Sequence, residues 1–148
     1  DVLGLVKRGV PVGLGTDAMT VNMLEEVRVG LWAQHLRQDN PSCGFMELTG
    51  ALFVRNPEIA SALWGFPIGT LAEGSAADVI LVDYLAPTPL NDSTVLGHLV
   101  FGISQAVVDT TICGGRVLMH GRKLEIGLDE EALAAESRRL ATALWERF

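Results

Sequence analysis

The chain reads as an α/β protein whose character changes near Gly65. Three observations carry that reading. An apolar run without alternation, VPVGL at residues 10–14, is flanked by glycines, as expected of a strand buried on both faces of a parallel sheet. Residues 22–64 then space their apolar positions as helices do. Beyond Gly65, short apolar runs alternate with glycine and proline turns, the pattern of an antiparallel sheet. The expected segments are therefore 1–65 (α/β), 66–128 (mostly β) and 129–148 (a final helix).

Residues 2–8, VLGLVKR, place apolar side chains at 2, 3, 5 and 6 and end on two bases, which suits the last turns of a helix stopped by Gly9. The strand at 10–14 comes next, and a parallel strand reaches each neighbour through a crossover of about a dozen residues. Only nine residues precede it. The chain is therefore expected to be a piece of something longer. Asn22 with Glu25 resembles a capping box, after which Leu24, Val27 and Leu31 share a helical face to about Arg37. After the loop DNPSCG, a second helix is expected over 46–54. A third follows, with Asn56 as N-cap, Pro57 in the first turn and Gly65 as C-cap.

In the second segment Gly69 and Gly74 are turn residues before an apolar strand at 79–84, and APTPLNDS is a proline-rich loop. VVDTTICGGRVLMHGRKLE reads as two strands around a Gly114-Gly115 hairpin turn. From Asp129 a helix runs to the end, with Leu133, Leu140, Ala141, Leu144 and Phe148 on one side.

At 148 residues, 49% apolar and 20% charged, the composition is that of a soluble globular chain. The formal charge of -7, from 18 acids against 11 scattered bases, offers no footprint for nucleic acid or an anionic membrane surface. No apolar run approaches the roughly 18 residues of a membrane span, and the start lacks a signal-peptide pattern; the expected compartment is the cytoplasm. Cys43 and Cys113, two isolated thiols, are expected reduced and buried.

The candidate chemical residue is Asp17, placed where the strand at 10–14 ends and the chain turns toward a helix. In β/α barrels that end of the strands is the catalytic face. A turn-forming or helix-capping role is the competing local reading. His35, His98 and His120 form no HxH or HExxH pair. His35 is expected to be solvated on its helix, and the other two lie in the β segment. There is no GxGxxG, GxxxxGK[ST] or GxSxG motif, and Trp32, Trp64 and Trp145 read as packing residues.

Two stretches taken together resemble one family. GVPVGLGTD followed by NMLEE resembles the last barrel strand and following helix of the amidohydrolase superfamily, and IGTLAEGSAADVILVD is similar to the segment by which those enzymes enter a flanking β-sandwich. VVDTTICGGRVLMHGRKL is similar to the closing hairpin, and DYLAPTPLNDSTVLGHLVFGIS to a loop of the aminohydrolases near guanine deaminase and the triazine-type chlorohydrolases. In that loop His98 is a structural residue. The resemblance implies the end of a metal-dependent-hydrolase (β/α)8 barrel plus part of a β-sandwich. It also implies a divalent metal, zinc or iron, held by an HxH pair, two further histidines and a final Asp. By resemblance that Asp is Asp17, a metal ligand that also handles a proton of the attacking water.

The implied reaction is attack of water on a carbon–nitrogen bond of a small heterocyclic or amidine-like substrate, with deamination and dechlorination both open. Members commonly have Gly after this Asp; here Ala18 stands. The four histidines would precede Asp1, since the barrel alone takes roughly 250 residues. The isolated chain is therefore expected to be inactive, without stoichiometric metal, and prone to associate. The alternative is a self-standing, non-catalytic α/β binding or assembly module. Oligomeric state stays open, with a homo-oligomer one possibility; Trp145 and Phe148 on the final helix are expected to pack either against a partner or against the missing barrel.

Overall fold

The computed structural model describes all 148 residues. Helix α1, Val2–Lys7, is capped by Asp1, whose carboxylate accepts the Gly4 N–H at 3.0 Å, and Gly9 with φ 75° follows its end. Helix α2, Met23–Gln38, begins at Asn22, whose Oδ1 accepts the N–H groups of Leu24 and Glu25 at 3.2 Å each. Glu25 does not complete a capping box; it lies 3.4 Å from Arg28 Nη2, while Glu26 accepts the Thr20 hydroxyl at 2.8 Å. The Asn22 amide also donates to the Ser104 carbonyl at 2.7 Å, so one side chain caps α2 and ties it to a segment 82 residues away.

The two expected helices at 46–54 and 56–64 are one rod. Helix α3, Phe45–Gly50, runs through a wide π turn, Ala51–Arg55, into α4, Asn56–Trp64. Pro57 explains the join: it has no N–H to donate, and its ring would press on the carbonyl four residues back in a regular α-helix. The turn widens instead, and the Asn56 N–H reaches back five residues to the Ala51 carbonyl. Asn56 is therefore inside the rod and is not an N-cap. Gly65, at φ 79°, closes α4.

Residues 10–14 form no strand ladder. Val10 is 42% exposed, and no other segment of the chain lies alongside as a pairing neighbour. Backbone groups cannot make a sheet alone, so the apolar run joins no ladder.

The sheet is antiparallel, in the order β1-β2-β3-β4. It comprises β1 (Val79–Asp83), β2 (Val107–Cys113), β3 (Arg116–His120) and β4 (Lys123–Leu124). Gly114 and Gly115, at φ 55° and 76°, make the hairpin turn between β2 and β3. Strand β4 is not expected from the sequence: its two-residue turn, Gly121-Arg122, has glycine first at φ 54° but arginine at the second left-handed position, φ 64°. Arg122 is held there by its N–H to the Asp109 carbonyl, 2.9 Å, and its guanidinium to Asp83, 2.5 Å.

The stretch between β1 and β2, expected as a loop, is helical in its second half: α5, Val95–Gly97, a π turn His98–Gly102 and a 3-10 turn Ile103–Gln105. Gly97 and Gly102 hide it from propensity, but Gly102 has a packing reason: a Cβ there would overlap the Tyr84 hydroxyl. Packing stabilises this helical segment. Leu3, Val27, Leu48 and Val100, from α1, α2, α3 and the 98–102 turn, form the buried core, with Leu14, Phe45 and Leu52 against it.

Much apolar surface is uncovered. Helix α6, Glu130–Trp145, is capped by Asp129 as expected, yet Leu133, Leu140, Leu144 and Trp145 are all exposed and Phe148 lies beyond its end. The accessible surface is 10560 Å² for 15.9 kDa. A compact monomer of that mass exposes about 7,350 Å². No helix is long and apolar enough to cross a membrane.

Candidate functional site

Asp17 follows the apolar segment at 10–14, in a tight turn whose backbone is held on both sides. Leu14, three residues earlier, has both of its peptide groups taken by one side chain: its N–H donates to Asn56 Oδ1 at 2.9 Å, and its carbonyl accepts from Asn56 Nδ2 at 2.8 Å. Residues 16–19 then close a tight turn, with the Met19 N–H on the Thr16 carbonyl at 2.9 Å. Asp17 and Ala18 occupy its central positions at φ 51° and 58°, both left-handed, as a type I′ turn requires. Asp tolerates that conformation; Ala carries a cost of about 1–2 kcal/mol there. Glycine at position 18 would adopt this backbone without that cost.

The Asp17 side chain is exposed and joins none of the chain's ion pairs. It does not cap α2, because Asn22 does. Of the two local readings, turn former matches the backbone and helix cap does not. Past the turn, the Thr20–Glu26 bond and the Asn22 cap anchor the chain again. The result is one free carboxylate on a short tip fixed at both ends, able to offer oxygen to a cation or take and return a proton.

The histidines are elsewhere and engaged. His98 is buried and accepts the Tyr84 hydroxyl on Nδ1 at 2.7 Å, while Nε2 faces the Pro89 carbonyl at 3.3 Å and the Thr88 hydroxyl at 3.2 Å. Donation to the Pro89 carbonyl puts the ring proton on Nε2, and the ring then pins the 87–90 loop to the 98–102 turn. His35 is half-buried rather than solvated, and its Nε2 donates to the Cys43 carbonyl at 3.1 Å, holding the loop after α2. His120 meets the Thr110 hydroxyl at 3.2 Å. No three His, Cys, Asp or Glu side chains of this chain converge as a metal-holding group.

The thiols are free, but neither is buried as expected: Cys43 is half-buried and Cys113 exposed. Asp78 beside Cys113 accepts its hydrogen bond and repels the thiolate, pushing that thiol up from its ordinary value. A groove of about 710 Å³ runs between α2, the α3–α4 rod and β1, lined by Leu24, Leu52, Phe53, Ile80, Leu81 and Leu99 among others. Asp17 is not in it. The Asn56 clamp is masked in sequence because Asn-Pro before a helical stretch looks like a cap; Gly13, opposite it, is the one local sign of a close approach.

The amidohydrolase family model matches residues 1–118. A 5-methylthioadenosine/S-adenosylhomocysteine deaminase of Pelotomaculum thermopropionicum is 35% identical over 150 residues, covering 99% of this chain and 34% of that protein. A 5'-deoxyadenosine deaminase of Methanoregula boonei is 36% identical over 149 residues, covering 97% of this chain and 32% of that one. Among solved structures, an adenosine deaminase from Xanthomonas campestris with bound zinc shares the fold. Its TM-score is 0.73 at 21% identity, over 96% of this chain and 33% of that chain. The chain spans about a third of the length of the curated relatives it matches.

Proposed function

Because the chain belongs to the amidohydrolase family, we propose that it is the C-terminal part of a metal-dependent hydrolase that deaminates an adenosine-type nucleoside. The observation that carries this reading is the likeness over nearly the whole chain to deaminases of that substrate class. The relatives named are deaminases, which favours loss of ammonia over loss of chloride.

The residues of this chain fit the metal as a single donor. Asp17 has an unpaired, exposed carboxylate on an anchored tip, and the three histidines are held in structural hydrogen bonds. Such a centre needs at least three protein ligands, so the others would come from polypeptide beyond this segment. A zinc or iron ion, when bound, supplies a water whose pKa is lowered toward neutrality. The Asp17 carboxylate would be one ligand of that ion and, as the reacting base, would accept a proton from the attacking water and pass it to the leaving nitrogen. Water and the amine become a ring carbonyl and ammonia. The excess exposed surface and the segment at 10–14, which joins no ladder, fit an origin in a larger body.

The test is ammonia release by the full-length protein from adenosine, 5'-deoxyadenosine and 5-methylthioadenosine. Asp17→Asn should abolish turnover while the far-ultraviolet spectrum and melting temperature stay close to the parent's; Asp17→Ala should abolish it too with the far-ultraviolet spectrum kept, at some cost in melting temperature from alanine at φ 51°. Turnover retained in Asp17→Ala would refute the role of Asp17, and no ammonia from any of the three would refute the substrate class. The 148-residue chain alone should release none.

A further inference from the structure

We infer that Asn56 is a positioning residue for Asp17, acting through the backbone of Leu14; this rests on the reading of Asp17 as the reacting carboxylate. In a sheet, a strand residue exchanges its N–H and C=O with a neighbouring strand. At Leu14 both partners come from one carboxamide, at 2.9 and 2.8 Å, which copies the edge of a peptide. Only asparagine fits: aspartate has no donor, leucine has neither group, and glutamine is a methylene longer.

Three further features serve that contact. Gly13 lies against the clamp, and a Cβ there would overlap Asn56 Oδ1 and sit 3.3 Å from Ile59 Cδ1, so the approach requires glycine. Asn56 lies at the exit of the π turn that Pro57 enforces, and that turn, one residue wider than an α turn, sets the angle at which Asn56 leaves the rod. Leu14 also packs against the buried core, so the clamp joins the tip to the rigid part of the molecule. From Leu14 to Asp17 is three residues, a span of at most about 10 Å that ends in a hydrogen-bonded turn. Too little slack remains to absorb a shift at Leu14. A displacement of about 1 Å at a reacting group costs on the order of a hundredfold in rate.

The experiment uses the full-length protein with Asn56→Ala, Asn56→Asp, Gly13→Ala and the Asn56→Ala/Gly13→Ala pair. It reads kcat and KM for the deaminated nucleoside together with hydrogen exchange at the Leu14 amide. Asn56→Ala should remove protection at Leu14 and lower kcat about a hundredfold, with KM changed by no more than about twofold. Asn56→Asp keeps the size and the acceptor, so it should retain protection at the Leu14 N–H yet lose rate, because the carbonyl loses its donor. Should Asn56→Ala fail to fold, this variant carries the comparison. Gly13→Ala should lower kcat in the parent and add nothing once Asn56 is alanine, since the overlapping atom is gone.

Loss of Leu14 protection with kcat unchanged would overturn the inference and leave the deaminase reading standing. So would additive losses in the pair. Absence of turnover in the parent would count against the deaminase reading itself.

Discussion

Leu48 and Gly30 offer a double substitution whose outcome the packing dictates. Leu48 is fully buried at the meeting of α1, α2, α3 and the 98–102 turn. Gly30, on α2, faces it so closely that an added Cβ would lie 2.8 Å from Leu48 Cδ1. Leu48→Ala removes three carbons from a closed site and should cost about 3 kcal/mol. Gly30→Ala alone gains about 1 kcal/mol of helix propensity but forces an overpacked contact costing about 2 kcal/mol, a net loss near 1 kcal/mol. With Leu48 already shortened the overlap vanishes. The same Gly30→Ala change then keeps its propensity gain and buries a methyl worth about 0.8 kcal/mol, recovering nearly 2 kcal/mol. The pair should therefore couple by about 3 kcal/mol. Urea unfolding followed by circular dichroism measures all four corners of the cycle. Additivity within about 0.5 kcal/mol would mean that α2 and α3 do not meet at these two residues and would refute the packing argument.

Two shorter predictions test the site and the surface. Ala18→Gly should raise stability by about 1 kcal/mol in thermal melts, because glycine relieves the left-handed strain at φ 58° and returns only part of the gain as unfolded-state entropy; a lowered melting temperature would contradict the turn geometry. Cys113 should alkylate slowly at neutral pH, since the Asp78 carboxylate favours the protonated thiol. Asp78→Asn should lower the thiol pKa and speed the reaction, and an unchanged rate would show that the two side chains do not interact.

Where local chemistry suffices, reading the residues succeeded. Asn22 caps α2, Gly114-Gly115 turns the hairpin, Asp129 starts α6, and Gly65 ends α4, each through contacts within a few residues. Such features depend on one side chain and the adjacent backbone, so spacing alone reveals them. The errors share a different cause. The helical stretch at 95–105 holds two glycines against it and exists because Val100 and Ser104 are buried by α2 and its neighbours. The join of α3 to α4 reverses a good capping signal, because the π turn lets Pro57 sit inside a continuous rod. His35 leaves solvent only because the loop after α2 folds back beneath it.

Asp17 divides in the same way. Its place after an apolar run and before a capped helix is a matter of order along the chain, and so is the likeness to one family, which rests on motifs in sequence. Its left-handed turn, its unpaired carboxylate and the Asn56 clamp beneath it depend on residues 42 positions apart meeting in space. Gly13 beside Leu14 marks a close approach, but nothing local names Asn56 as the group that makes it. Order and capping follow from short-range sterics and hydrogen bonding; the clamp follows from how the rod of α3 and α4 packs on the segment at 10–14, a contact between residues far apart in the chain.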